Sequence, residues 1–203
     1  WQGSFLTLFQ NNFHHFRNHI SSSLNENRIP NAYILAVNFI LIMEGGIGNG
    51  DTPNIDRIAD EGVLFTNACV TNSICAPSRA TILTGKHNHI NGKIDNGAPF
   101  DTSQVTFPQL FQKAGYQTAM FGKLHFGNNP KGVDDFMILP GQGHYINPAF
   151  ITKSSDTTIT GYVTDIITDL TLDWLKTKRD TEKPFLVMYL HKAPHRPWWP
   201  SPE

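Results

Sequence analysis

The stretch "SICAPSRATILTGKHNH", Ser73 to His89, sets Cys75 before a proline and Arg79 four positions after the cysteine. With Pro77 favouring a turn and a helix expected from near Ser78, the Cys75 side chain should sit beside free backbone N–H groups and the positive end of a helix dipole. Such a place suits oxyanions. Arg79, on the first helical turn, can hold a cysteine-derived group or an anionic substrate through its forked donors. As an isolated pair the two residues read first as a buried cysteine serving as a small hydrophobe and an arginine in a surface ion pair. Other polar clusters bear on that choice: "EGGIGNG" (Glu44 to Gly50), "GKLH" (Gly122 to His125) and "HKAPHRPWW" (His191 to Trp199). Individually, Lys123 reads as a solvated charge and His125 and His195 as satisfied loop histidines.

The elements around these clusters alternate. "YILAVNFILIM", Tyr33 to Met43, is too short for a bilayer and rich in Ile, Val and aromatics, which predicts a buried central strand. "TPNIDRIADEG" carries Thr52 as N-cap, Pro53 in the first turn and Gly62 as a stop, predicting a short helix, and "VLFTNACV" then predicts a strand. A helix follows Cys75 and stops at Gly85; another runs between Thr106 and Gly115, before the strand "YQTAMFG". Val163, Ile166, Ile167, Leu170 and Trp174 form one helical stripe, and "KPFLVMYLH" is a further buried strand. The alternation predicts an α/β fold, a mostly parallel sheet with helices on both faces. In open sheets of this kind ligands gather at the carboxyl ends of strands, where the polar clusters fall.

Composition removes other classes. The 203 residues include 16 Lys plus Arg against 17 Asp plus Glu, a net charge of -1 that leaves no footprint for nucleic acid or anionic membrane. No run is long enough for a transmembrane helix, and the first thirty residues lack the basic start, apolar core and small-residue cleavage site of a secretory signal. Cys69 and Cys75 fit neither a disulfide framework nor a structural zinc site. His191 and His195 are four apart, but Pro194 and Pro197 argue against the helix a zincin needs. "HNH", His87 to His89, reads as a loop, "GGIGNG" as a turn rather than a dinucleotide fingerprint, and Trp198 and Trp199 as either a sugar-stacking or a packing pair.

"CAPSRATILTG", Cys75 to Gly85, resembles the type I sulfatase signature C-x-P-S-R-x-x-x-L-T-G. "TPNIDRIADEGVLFTNACV", "GYQTAMFGKLH" and "KAPHRPW" resemble sulfatase segments in the same order. Within this family of the alkaline-phosphatase-like superfamily, "GKHNHINGK", "LPGQGHYINPAF" and "HKAPHRPW" are most similar to N-acetylglucosamine-6-sulfatase-like enzymes. The resemblance covers roughly Tyr33 to Glu203, implying a partial sulfatase catalytic domain over 33–203 and an N-terminal extension of unknown role over 1–32.

The resemblance implies that Cys75 is oxidised by a formylglycine-generating enzyme to formylglycine, whose hydrated aldehyde attacks sulfur and then expels sulfate. It implies that Arg79 steadies the hydrate, that Lys123 contacts the sulfate oxygens, that His125 hydrogen-bonds the diol, and that His195 binds sulfate and helps protonate the leaving oxygen. The implied partner is a sulfated sugar, glycosaminoglycan or mucin-type glycan, and the implied setting is secreted, periplasmic or lysosomal. Calcium is also implied, with Cys75, as formylglycine, among its ligands. Yet after "FILIM" the chain has Glu44, Gly45 and Gly46, one carboxylate where the family pairs two aspartates, so the calcium cage is incomplete. From this and from the family's greater length, the expectation is an incomplete or degenerate copy with little activity. A noncatalytic sulfated-glycan binder and a phosphonate or phosphate monoesterase of the same superfamily are the alternatives.

Overall fold

A computed structural model describes residues 32–35, 57, 60–62 and 69–201 of the protein. Glu44, the "EGGIGNG" turn, nearly all of residues 1–32, most of the strand expected over 63–70 and most of the helix expected over 52–62 lie outside the described residues. The described strands are β1 (Ala32–Leu35), β2 (Gln117–Lys123), β3 (Asp135–Leu139), β4 (Ala149–Thr152), β5 (Thr157–Thr158) and β6 (Phe185–Leu190). The helices are α1 (Cys75–Thr84), α2 (Asn88–Asn91), α3 (Phe107–Lys113) and α4 (Val163–Asp173), the last widening into a π-helical turn over Trp174–Lys178.

The sheet order is β1-β6-β2-β3-β4-β5. β1, β6, β2 and β3 run parallel, whereas β4 and β5 pair antiparallel beyond β3. The fold is thus a mixed sheet with a parallel centre. The antiparallel margin lies in a region where neither alternation nor length marked a strand. β1, expected to be central, occupies one end of the described sheet and pairs there with β6.

Both faces are covered, as the strand–helix alternation implied. Period-two alternation sends Met120 and Leu124, with Met188 and Leu190, toward Ala76, Ala80 and Leu83 of α1. Ala119 and Phe121, with Phe185 and Val187, meet the stripe Val163, Ile166, Ile167 and Trp174 on the opposite face. Trp174 also satisfies its indole N–H by donating to Asp135 Oδ2 at 2.9 Å. α3 begins as its capping residues predict, with the Gln109 side chain accepting the Thr106 backbone N–H at 2.8 Å.

β2 and β6 are pressed together at Gly122, which has φ +105; a Cβ built there would lie 1.9 Å from the Leu190 carbonyl oxygen. Only glycine meets both conditions. The parallel register pairs Gly122 with Leu190 and Lys123 with Leu139. The loops after β2, β3 and β6 therefore leave the sheet at one edge, which is where the site assembles.

Candidate functional site

α1 starts at Cys75 itself, three residues earlier than expected from Pro77. The reason is that a proline in the first turn forgoes an N–H with no intrahelical partner, so Pro77 continues the helix rather than delaying it. Gly85 ends the helix in the left-handed region at φ +66. Cys75 is partly exposed at this helix start, and the neighbouring Ala76 N–H is already taken by Asn96 Oδ1 at 3.1 Å. Arg79 lies on the second turn, and its guanidinium donates to the Lys123 backbone carbonyl at 2.5 Å.

Lys123 is the last residue of β2 and is buried. Its ammonium donates to Gln142 Oε1 at 2.5 Å, and the Cys75 side chain lies within reach of its charge. Desolvation is the main cause holding its pKa down at about 8, with the Arg79 and Lys192 charges acting in the same direction and Cys75 opposing them. Arg79 is lowered to about 10, again chiefly by desolvation.

His125, two residues on, adopts φ +64, a left-handed conformation uncommon outside glycine, which turns the chain sharply after the strand. Its Nδ1 is buried and meets no hydrogen-bond partner among the described residues. Burial first, then the charges of Lys123, Arg79, Lys93 and His195, hold its pKa at about 4, so the imidazole is neutral at pH 7. His195 comes from the loop after β6. Its Nδ1 donates to the Arg196 carbonyl at 2.6 Å, and burial and the Lys123 and Lys192 charges lower its pKa. Cys75, Arg79, Lys123, His125 and His195 thus belong to one electrostatic cluster at the carboxyl edge of the sheet.

Sequence reasoning missed four members of this neighbourhood. Lys192 is buried, donates to the Gln142 backbone carbonyl at 3.1 Å and stands 4.7 Å from the Tyr145 ring centroid. Gln142 and Tyr145 lie on the loop after β3, inside "LPGQGHYINPAF", where the closely spaced glycines were the available signal. Lys93, buried with its ammonium donating to the Ala98 carbonyl, adds to the field on His125. Lys123 and Lys192 are held by neutral oxygens, and the salt bridges among the described residues lie elsewhere, on exposed pairs. Buried cations held this way keep their charge for a ligand, because desolvated charges otherwise demand carboxylate partners.

Among the described residues no group of three or more His, Cys, Asp or Glu can hold a metal. The surroundings of Cys75 are cationic, and calcium needs about six to eight oxygen donors. These residues do not fit calcium, and Glu44 lies outside the described residues. "HNH" is a short helix rather than the expected loop: His87 caps α2 and stacks on His89 with ring centroids 5.7 Å apart. His191 and His195 lie outside any helix, as their prolines required, and Trp198 and Trp199 are exposed. No helix among the described residues is long and apolar enough to cross a membrane.

Comparison with known proteins agrees with this architecture. The N-acetylglucosamine-6-O-sulfatase of Bacteroides thetaiotaomicron is 51% identical over 154 residues, covering 74% of this chain and 27% of that enzyme. The N-acetylglucosamine-6-sulfatase of Capra hircus is 31% identical over 171 residues, covering 72% and 30%. The solved structure of BT4656 in complex with its substrate D-glucosamine-2-N,6-O-disulfate matches with a TM-score of 0.77 at 46% identity, covering 86% of this chain and 36% of that one. The chain therefore spans about a third or less of the curated relatives named here. The sulfatase family model matches residues 42–203, and with an alkaline-phosphatase-like sheet carrying the signature cysteine at its carboxyl edge, the chain belongs to the sulfatase family.

Proposed function

We propose that the protein hydrolyses sulfate esters of a sulfated sugar through a formylglycine derived from Cys75. The observation that carries this reading is the convergence on Cys75, at a helix start, of the charges of the buried Lys123 and of Arg79, whose guanidinium is bonded to the Lys123 carbonyl at 2.5 Å. Formylglycine would supply a geminal diol, one hydroxyl of which attacks sulfur while the other allows sulfate to be expelled. Lys123 binds the sulfuryl oxygens and stabilises the charge that builds on them in the transition state. Arg79 holds the end of β2 through the Lys123 carbonyl and directs its charge toward the Cys75 group. His125, neutral at pH 7, accepts a proton from the diol, and His195 protonates the leaving sugar oxygen.

The names of the relatives support an amino sugar sulfated at O6 as the substrate. The test begins with a peptide mass over Ser73 to Arg79 after expression with a formylglycine-generating enzyme. Conversion lowers the Cys75 mass by about 18 Da, the thiol becoming an aldehyde. The converted protein should then release sulfate from an aryl sulfate and from 6-sulfated N-acetylglucosamine, and Cys75→Ala should abolish release. An unconverted thiol, binding without turnover, or faster cleavage of the matching phosphate ester would overturn the reading.

A further inference from the structure

Two side chains and one backbone carbonyl of the site are tied to one loop. Pro140 to Gly143 form a tight turn after β3, closed by the Gly143 N–H donating to the Pro140 carbonyl at 2.9 Å. Gly141 at φ +54 and Gly143 at φ +67 flank Gln142, and a Cβ at Gly143 would lie 2.8 Å from Leu139 Cδ1. The turn is therefore specific to its glycines. Gln142 accepts Lys123 Nζ on its side-chain oxygen and Lys192 Nζ on its backbone oxygen. Three positions later, Tyr145 presents its ring to Lys192 and donates its hydroxyl to the His195 carbonyl. One short loop thus reaches the end of β2 and the loop after β6.

The chemistry of the acceptor matters. A lysine ammonium has three donors. Among the described residues, Lys123 donates one of them to Gln142, while the Cys75 side chain lies within reach of its charge. A carboxylate at position 142 would hold the ammonium as well, but it would cancel the charge that an anionic group must meet. An amide orients Lys123 and leaves its charge intact.

We propose that Gln142 is a positioning residue: it fixes the Lys123 ammonium toward the Cys75 group through an uncharged oxygen, in a brace that Tyr145 extends to the His195 loop. The proposal rests on the sulfate-ester reading above, but its test separates the two. Native protein is acetylated with a water-soluble amine reagent, and labelling of Lys123 and Lys93 is quantified by peptide mass spectrometry, a measurement independent of turnover. Gln142→Leu should raise Lys123 labelling about tenfold, as loss of one charged hydrogen bond predicts, with Lys93 unchanged. Gln142→Glu should keep Lys123 protected yet weaken equilibrium binding of 6-sulfated N-acetylglucosamine about tenfold, the scale expected of one added like charge. Should Gln142→Leu fail to fold, Gln142→Asn withdraws the same amide by one methylene and should raise labelling in the same direction.

Unchanged Lys123 labelling in whichever variant folds, or an equal rise in Gln142→Glu, would overturn the brace. Undiminished sugar binding by Gln142→Glu would overturn the argument for a neutral acceptor. A wild-type protein that neither binds nor cleaves the sugar would defeat the sulfate-ester reading and leave the labelling result to judge the brace alone.

Discussion

The Arg79 guanidinium donates to the backbone carbonyl of Lys123 at 2.5 Å, pinning the helix that opens with Cys75 to the end of the strand that carries the lysine. The two residues are separated by 44 positions, so this contact joins the Cys75-bearing helix to the Lys123-bearing strand across the fold.

Arg79→Lys is expected to be a poor replacement. A lysine carries one compact charge and lacks the planar fork that can reach the Lys123 carbonyl and the Cys75 group together. Arg79→Ala should destabilise the fold by about 1.5–3 kcal/mol, the range for a hydrogen bond involving a charged group, as read by urea denaturation. Both variants should lose turnover of a sulfate ester, and wild-type rates in Arg79→Lys would contradict the role assigned to the fork.

The pH profile follows from the sign of two shifts. Lys123, lowered to about 8, loses its positive charge as pH rises through that value, so kcat/KM for a sulfate ester should fall on the alkaline side. His125, lowered to about 4, is neutral above that value, so its proton-accepting form is lost only in acid. On 4-nitrophenyl sulfate, whose leaving group needs no proton, the expected profile is a plateau between the two limits. On the sulfated sugar the acid form of His195, whose pKa burial lowers, should bend the profile down earlier as pH rises. Lys123→Arg should move the alkaline limb upward, since a guanidinium stays protonated to higher pH; an unmoved limb would assign it to another group.

His195 is assigned to the leaving oxygen, which makes its importance depend on the leaving group. A sugar alkoxide needs a proton, whereas a nitrophenolate departs without one. His195→Ala should therefore cost about 10²-fold or more in kcat on the sulfated sugar, within the range of general acid catalysis, and far less on 4-nitrophenyl sulfate. Equal losses on both substrates would indicate a binding role instead.

Gly122 and Gly85 separate two uses of glycine. At Gly122, with φ +105, an added Cβ would lie 1.9 Å from the Leu190 carbonyl, so Gly122→Ala should force β2 from β6 and cost about 4 kcal/mol or more, at the exceptional end of single substitutions. Gly85 has φ +66 with nothing within 4 Å, so Gly85→Ala should cost only the left-handed backbone penalty, about 1–2 kcal/mol. Thermal unfolding of the two variants, measured side by side, tests the difference.

The local pattern of the chain determined the elements that frame the site. The stripe Val163, Ile166, Ile167 and Trp174 declared α4, the Thr106 to Gly115 segment declared α3, and the apolar run Phe185 to Leu190 declared β6, because helix and strand periodicity are properties of neighbours in sequence. The signature around Cys75 likewise announced Arg79, and the family resemblance of the segments "GKLH" and "APHRP" implied Lys123, His125 and His195 as companions. Gln142, Lys192, Tyr145 and Lys93 carried no such mark. Their part depends on three parallel strands ending at one edge, which brings Lys123, Leu139 and Leu190 into register and lets loops distant in sequence exchange hydrogen bonds. The antiparallel margin was hidden for a related reason: β4 and β5 are short, and their pairing is set by the neighbouring strand, β3 for β4 and β4 for β5, rather than by a pattern of their own. The sequence by itself, through its family resemblance, named the residues proposed to carry the chemistry of sulfate. Only the tertiary structure decided which neutral oxygens hold those cations in place, because a buried charge takes its partner from whatever backbone or side chain the fold brings near.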